Sequence, residues 1–350
     1  MLSNDPPGAG DASRTQHSQP SRITTRSLTM HSNHPATSER SRTIRIAAAM
    51  GVAAAGTALF HHLASRRAEA QNPPQGRFVD VDGVRLHLVD RGSGSTVVLL
   101  HGNGVSLGDF IASDVLDRLV MTHRVIAIDR PGFGHSSRPR GRAWTPAAQA
   151  ALFAKALDTL GIESAVVVGH SWGAMVALAL ALDHPEKVAG LVLMSGYYYP
   201  TVRGDVAPAG LAAVPLAGDV LAHTVSPLVA AATGPAVVAA SFAPAPVSPK
   251  FERFPKALAL RPSQLRAASA EAAMMVPAAA SLSRRYEDLD MPIAILAGAG
   301  DRIAWPSRHA ERLARALPTA TLRLIEGEGH LFHYAQPDAV ADAVGAVERG

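Results

Sequence analysis

Gly169-His170-Ser171-Trp172-Gly173 follows the apolar run Ala165 to Val168 and opens the helical run Trp172 to Asp183. A strand, a tight turn and a helix in that order is the setting in which a serine can act as a nucleophile. The turn must push Oγ clear of the backbone, and side chains two residues to either side would collide, hence Gly169 and Gly173. The helix N-terminus that follows favours developing negative charge. A serine hydroxyl is a poor nucleophile near neutral pH and needs a general base oriented by a carboxylate. Asp301 follows the strand Pro292 to Leu296 behind the turn Gly298-Ala299-Gly300, and His330 ends Gly327-Glu328-Gly329-His330 after the strand Thr321 to Ile325. The chain order serine, acid, histidine makes Ser171, Asp301 and His330 a candidate catalytic triad for acyl transfer. His333 is the rival base, and the bend provided by Gly327 and Gly329 favours His330. No acid between Ser195 and Asp205 competes with Asp301, and Asp288 and Asp290 precede their strand.

Acyl transfer also requires two backbone donors aimed at the oxyanion of the tetrahedral intermediate. The Trp172 N–H supplies one by position, and the Asn103 N–H, within His101-Gly102-Asn103-Gly104 after the strand Thr96 to Leu100, is the candidate for the other. Tyr197 and Tyr198 are candidate substrate-binding residues, with aromatic packing at a hinge as the competing reading. The fifteen histidines show no H-x-x-x-H spacing and the chain has no cysteine, so neither a metal nor another cofactor is expected. The absence of cysteine also excludes a disulfide framework and a thiol nucleophile.

These residues must be carried to one edge of one sheet. Phe78 to Val81 and Val84 to Val89 alternate around Asp82-Gly83, a hairpin signal. Four apolar runs follow, Thr96 to Leu100, Arg124 to Ile128, Ala165 to Val168 and Ala189 to Met194. Helical stretches separate them at Leu107 to Leu119, Thr145 to Leu160 and Trp172 to Asp183. Continuous apolar strands alternating with helices describe a parallel sheet covered on both faces. The rhythm breaks over an Ala- and Pro-rich stretch from Tyr197 to Arg285, with helical pieces at Gly210 to Ala222 and Gln264 to Met275. It resumes with Pro292 to Leu296, a helix over Ser307 to Ala316, Thr321 to Ile325 and a terminal helix. The expected fold is α/β: a mostly parallel eight-stranded sheet with helices on both faces and a helical lid insertion. A disordered tail and one hydrophobic helix precede it. The domain boundaries read as a core of residues 77–196 and 286–350, with a lid over 197–285.

With these motifs in order, the chain resembles the α/β-hydrolase superfamily, in its lid-bearing group, over residues 77–350. The resemblance rests on His101-Gly102, Asp129-Arg130-Pro131-Gly132-Phe133-Gly134-His135-Ser136, the serine turn, and the Asp301 and His330 loops. It implies a structural role for Asp129 and Arg130. Haloalkane dehalogenases and epoxide hydrolases share the His-Gly and Asp-Arg-Pro-Gly segments but use an aspartate nucleophile, a chemistry that Ser171 excludes. The leading expectation is a serine hydrolase that cleaves a carboxylic ester of a small or medium apolar acyl substrate. The same triad would serve a lactonase, an amidase, a carbon–carbon bond hydrolase or a haloperoxidase with perhydrolase activity. From a different class, the fold can act as a small-molecule receptor with slow turnover.

The net charge of +4 invites a nucleic-acid reading, but it sits in the N-terminal segment. Residues 1–76 carry eight arginines and four acids, which leaves 25 basic and 25 acidic residues for 77–350. No Gly-rich phosphate loop and no basic aromatic stripe occurs, so no nucleic-acid partner is expected. Residues 1–43, rich in Ser, Thr, Pro, His and Arg, read as disordered. Within 44–66, Ile46 to Ser65 carries no charge, and twenty helical residues reach ~30 Å, enough to cross a bilayer core. Residues 46–65 are thus a candidate membrane tether, followed by a linker over 67–76. The alternative is a signal cleaved near Ala70, in Ala68-Glu69-Ala70, giving a secreted or periplasmic product.

Overall fold

The computed structural model describes residues 36–201 and 217–350. It divides into two units, 1–50 and 51–350, and the second holds every candidate site residue. The first helix, α1, spans Ala36–Gln71. It extends beyond 44–66 at both ends, because Arg66 to Gln71 are ordinary helix formers and the chain is stopped only by Pro73 and Pro74. Expectations for residues 1–35 lie outside the described residues. Glu39–Gln71 is long and apolar enough to cross a membrane, which makes it a candidate anchor or signal sequence. Val52, Leu59, Phe60 and Leu63 on it are exposed.

The sheet has eight strands: β1 (Arg77–Val81), β2 (Val84–Arg91), β3 (Thr96–Leu100), β4 (Arg124–Ile128), β5 (Ala165–His170), β6 (Val188–Met194), β7 (Ile293–Gly298) and β8 (Thr321–Ile325). Their order is β1-β2-β4-β3-β5-β6-β7-β8. β1 and β2 form the antiparallel hairpin that Asp82-Gly83 announced, with φ of 50° and 75° at the two turn residues. β2 meets β4 antiparallel, and every later pairing is parallel.

Because side chains alternate along a strand, one apolar run feeds two cores. Val98, Leu100, Ile126 and Val167 pack with α4 (Pro146–Thr159) and α5 (Trp172–Asp183) on one face. Val97, Leu99, Val125 and Val166 pack on the other face with α2 (Gly108–Ala112), α3 (Val115–Val120) and the terminal helix, Pro337–Arg349. The single helix expected over Leu107 to Leu119 is broken in two, since Asp114 adopts a left-handed φ of 68°.

Between β6 and β7 the described chain is helical, as α6 (Ala217–His223), α7 (Ser226–Phe242), α8 (Lys256–Ala259) and α9 (Pro262–Leu282). The helix expected over Gly210 to Ala222 lies outside the described residues up to position 216. α9 runs beyond Gln264 to Met275 at both ends and continues past Pro277. α10 (Ala310–Ala316) then separates β7 from β8, starting three residues later than expected.

Candidate active site

Ser171 lies between the last residue of β5 and the first of α5 with φ 54° and ψ −114°. A serine in that region stores about 1–3 kcal/mol of strain and persists only if its surroundings over-determine it. A Cβ on Gly169 would lie 2.5 Å from the Gly173 carbonyl oxygen, and a Cβ on Gly173 would lie 2.0 Å from the Leu100 carbonyl oxygen. The two glycines thus let α5 close against β3 and β5. The Ser171 N–H donates to the Met194 carbonyl at 2.8 Å, which fixes the turn on the neighbouring strand. Its side chain is half-buried.

Asp301 and His330 meet at the same edge. His330 Nδ1 is 2.8 Å from Asp301 Oδ2, while Asp301 Oδ1 accepts from the Ile303 and Ala304 N–H groups at 2.7 and 3.0 Å. Burial alone would raise the Asp301 carboxyl, but His330 and the two backbone donors outweigh it and hold the group below the usual carboxylate range. A carboxylate acceptor puts the proton on Nδ1 and leaves the Nε2 lone pair available. His330 is tied to the serine turn through His170, whose Nε2–H donates to the His330 carbonyl at 3.1 Å. No hydrogen bond joins Ser171 Oγ to His330, an arrangement common before substrate binds.

The loop after β3 is held from behind. Arg130, fully buried, donates from Nε to the His101 carbonyl at 2.8 Å and from Nη2 to the Gly102 carbonyl at 2.9 Å. The Gly102 carbonyl also accepts from His101 Nδ1–H at 2.8 Å, and His101 Nε2 accepts the Arg130 N–H at 2.9 Å. Burial first, then the Arg130 charge, drives His101 down to about 3, so this ring is neutral. A trans peptide points its N–H away from its C=O, so gripping the Gly102 carbonyl aims the Asn103 N–H to the opposite side. The Asn103 and Trp172 N–H groups donate to nothing among the described residues. A Cβ on Gly102 would come 3.3 Å from Ser171 Cβ, which shows how close this loop runs to the serine.

Arg130 is neutralised by Glu271 of α9. The carboxylate engages both guanidinium ends, with Nη2 to Oε2 at 3.0 Å, and Gln149 Nε2 donates to Oε1 at 3.0 Å. Asn103 Nδ2 donates to the Ala268 carbonyl of the same helix at 3.1 Å. The sequence marks Arg130 as structural only through the resemblance, and no motif marks Glu271. The available signal was that Glu271 is the one acid between Arg253 and Tyr286, in an Ala-rich run.

His333 faces elsewhere. It is fully buried, and Nε2 donates to Asp109 Oδ2 at 3.0 Å, with the Tyr334 hydroxyl on Asp109 Oδ1 at 2.8 Å. Asp109, on α2, carries no motif and was not foreseen. Burial would raise its carboxyl, and His333 overcomes this and lowers it. The His170 ring lies between His330 and His333 with centroids 5.0 and 4.8 Å away, tilted to the first by 52° and edge-on to the second at 61°, and burial keeps it well below the usual histidine range. Tyr197 and Tyr198 are both buried: the Tyr197 ring lies against His309 with centroids 4.4 Å apart, and the Tyr198 hydroxyl accepts the Gly196 N–H at 3.2 Å. Among the described residues no cluster of three His, Asp or Glu is arranged to hold a metal ion.

The sequence model of the α/β-hydrolase fold family matches residues 95–337. The chain belongs to the α/β-hydrolase family. The 2-hydroxymuconate semialdehyde hydrolase of Pseudomonas putida is 39% identical to it over 139 residues, 39% of this chain and 50% of that enzyme. An uncharacterized protein of Mycobacterium bovis is 31% identical over 284 residues, 78% of this chain and 80% of the relative. Among solved structures, a thermophilic esterase from Thermogutta terrifontis aligns with TM-score 0.60 and 25% identity, over 78% of this chain and 98% of that one. A hydrolase from Pseudomonas aeruginosa aligns with TM-score 0.63 and 26% identity, over 79% and 99%. The chain spans half or less of the length of the first two curated relatives it matches. Within this family fold, the hydrolase core brings Ser171, Asp301, His330 and the Asn103 loop to the C-terminal ends of β5, β7, β8 and β3, where open α/β sheets take ligands.

Proposed function

We propose that the protein is a serine hydrolase that cleaves a carboxylic ester of a small or medium apolar acyl substrate through an acyl-enzyme. The observation that carries this reading is the combination of a serine held at φ 54° on a strand–helix turn with an Asp301–His330 couple at the same sheet edge. Ser171 Oγ attacks the ester carbonyl while its proton passes to His330 Nε2, and Asp301 stabilises the imidazolium. The oxyanion forms between the Asn103 and Trp172 N–H groups, each such donor typically contributing about 10²–10³ in kcat. Collapse expels the alcohol, which takes the proton from His330, and water repeats the cycle on the acyl-enzyme. The helices between β6 and β7 serve as the lid, and their apolar composition favours an apolar acyl group.

A second reading, hydrolysis of a substrate like 2-hydroxymuconate semialdehyde by the same residues, is favoured by the 39% identity to that Pseudomonas putida enzyme. For location, residues 46–65 of α1 act as the membrane tether, with a cleaved signal as the alternative outcome. The test is reaction of the purified protein with a fluorophosphonate and turnover of p-nitrophenyl esters, both in wild type and in Ser171→Ala. The reading requires labelling and turnover that Ser171→Ala abolishes; a panel of esters, lactones, amides and ring-cleavage dienones then separates the substrate classes.

A further inference from the structure

α7 carries no charged residue over its 17 positions, yet the fold covers little of it. Pro227 and Phe242, one near each end, are its buried residues, while Leu228, Val229 and Val237 are 52–60% exposed. A helix that is apolar all round is ordinarily enclosed by protein or by lipid. Its mid-helix hydroxyls are satisfied by the helix itself: Thr233 Oγ1 donates to the Val229 carbonyl at 2.9 Å and Ser241 Oγ to the Val237 carbonyl at 2.8 Å. Neither needs water, which is the condition a polar group must meet among acyl chains.

Where α7 begins, α1 is beside it. A groove of about 250 Å³ has Phe60, Ala64 and Ser65 of α1 on one side and Pro227, Leu228 and Ala231 of α7 on the other. Phe60 and Leu63 are exposed, so apolar surface continues from the end of the candidate span onto the lid. Arg66 and Arg67 come next on α1 and are exposed, at the place where a helix leaving the acyl region sends long cationic side chains to the headgroups. One occupant accounts for both apolar surfaces: a bilayer that takes up α1 reaches α7 at their shared groove. A second copy of the chain would have to cover the most apolar stretch of α1, none of it buried, as well as α7.

The other end of α7 is fastened to the candidate active site. The Leu331 N–H, next to His330, donates to the Ser241 carbonyl at 3.1 Å, and the Phe242 and Tyr334 rings meet with centroids 5.3 Å apart. A Cβ on Gly329 would lie 2.2 Å from the Ala243 carbonyl oxygen, so the two segments run in close contact. Seventeen helical residues extend about 25 Å, which carries α7 from the end of the candidate span to the loop of the candidate base.

We propose that α7 is a membrane-docking helix, lying in the interface of a phospholipid bilayer with Leu228, Val229 and Val237 among the acyl chains. The proposal rests on the reading of α1 as a tether into that same bilayer. Docking puts the His330 loop within one helix length of the lipid.

The chain has no cysteine, so Val229→Cys, Val237→Cys and the nearly isosteric Ala236→Cys each create a single site for an environment-sensitive nitrobenzoxadiazole label. Three positions keep the test open if one variant fails to fold. Full-length protein is reconstituted into vesicles of phosphatidylcholine and phosphatidylglycerol, with or without lipids that carry a doxyl quencher at a shallow or a deep acyl position. Ala55→Cys, midway along residues 46–65, reports on the tether. Met121→Cys, 76% exposed and three residues before β4 at the strand end opposite the site, reports on water. An interfacial helix sits about 5–10 Å into the boundary of headgroups and acyl chains, so the α7 labels shift to the blue and are quenched more by the shallow doxyl than by the deep one. Ala55 shows the reverse order and Met121 neither effect. The proposal is overturned if the α7 labels stay in water, or if they shift to the blue without quenching because a second copy or another part of the chain covers them. Quenching at Ala55 without quenching on α7 leaves the tether standing and sinks the docking; quenching on α7 without Ala55 does the opposite. Ester turnover is not read, so none of these outcomes bears on Ser171.

Discussion

Replacing Glu271 by alanine tests whether α9 and the Asn103 loop are one mechanical unit. Glu271 and Arg130 are both fully buried, and Arg130 grips the His101 and Gly102 carbonyls from its Nε and Nη2, with His101 Nδ1–H as a second donor to the Gly102 carbonyl. Without the carboxylate, Arg130 keeps three acceptors, those two carbonyls and Gln149 Oε1, but no counter-charge. Removing one partner of a buried pair costs about 3–5 kcal/mol. At roughly 2–3 °C per kcal/mol for a domain of this size, the melting temperature of Glu271→Ala falls by roughly 6–15 °C. Activity at a temperature where the variant is folded carries the more specific signal. Arg130 drawn toward water releases the Gly102 carbonyl, and the Asn103 N–H loses its aim. The ceiling on that loss is the about 10²–10³ in kcat of one oxyanion donor, with KM changing little. A double variant, Arg130→Met/Glu271→Leu, separates the effects: apolar replacement of the whole pair recovers stability relative to either single change, while kcat stays low because the Gly102 carbonyl keeps only the His101 Nδ1–H donor and loses the Arg130 clamp. If Glu271→Ala melts within about 2 °C of wild type, or the double variant regains full kcat, the coupling described here is wrong.

Three other outcomes follow from the same geometry. Asp301→Asn preserves the shape of the couple but favours the wrong His330 tautomer, so kcat on p-nitrophenyl acetate falls by about 10⁴-fold; a loss under tenfold contradicts the assigned role. His330→Ala abolishes turnover to a similar extent, whereas His333→Ala, which removes the Asp109 hydrogen bond and the ring contact to His170 but leaves the Asp301–His330 couple, destabilises the fold and leaves kcat within about tenfold at a permissive temperature; equal losses would make His333 the base. Stability falls below pH 6.5, because His101 is neutral when folded, with a value near 3, and protonates at about 6.5 once unfolded. That group alone removes about 1.4 kcal/mol per pH unit between those values, and the lowered Asp109, Asp129 and Asp301 add their own loss below about pH 4. Calorimetric melting temperatures that stay flat from pH 7 to pH 5 would refute the buried neutral histidine.

The parts of this molecule visible in its sequence were those whose physics is local. Gly169 and Gly173 announce a turn because each sits where a Cβ would strike backbone, and Asp82-Gly83 supplies the two positive φ values its hairpin needs. Apolar runs such as Val97 to Leu100 identify a sheet covered on both faces, since alternate residues enter different cores. Less visible were features set by tertiary partners. Asp114 interrupts a well-patterned helix with one left-handed residue. α7 passes through Gly234 and Pro235, residues that read as breakers. Glu271 and Asp109 gain their significance from Arg130 and His333, which lie 141 and 224 positions away. Pair spacing along the chain says nothing about such contacts, whereas an isolated acid in an Ala-rich helix is a local oddity.

Everything proposed for the site depends on Ser171 being the nucleophile. Incubation of the full-length protein with a fluorophosphonate, followed by proteolysis and mass spectrometry, tests it directly. A single phosphonylated peptide carrying Ser171 is expected, its formation slowed in His330→Ala and absent in Ser171→Ala. Labelling at another residue, or ester turnover that persists undiminished in Ser171→Ala, would contradict it.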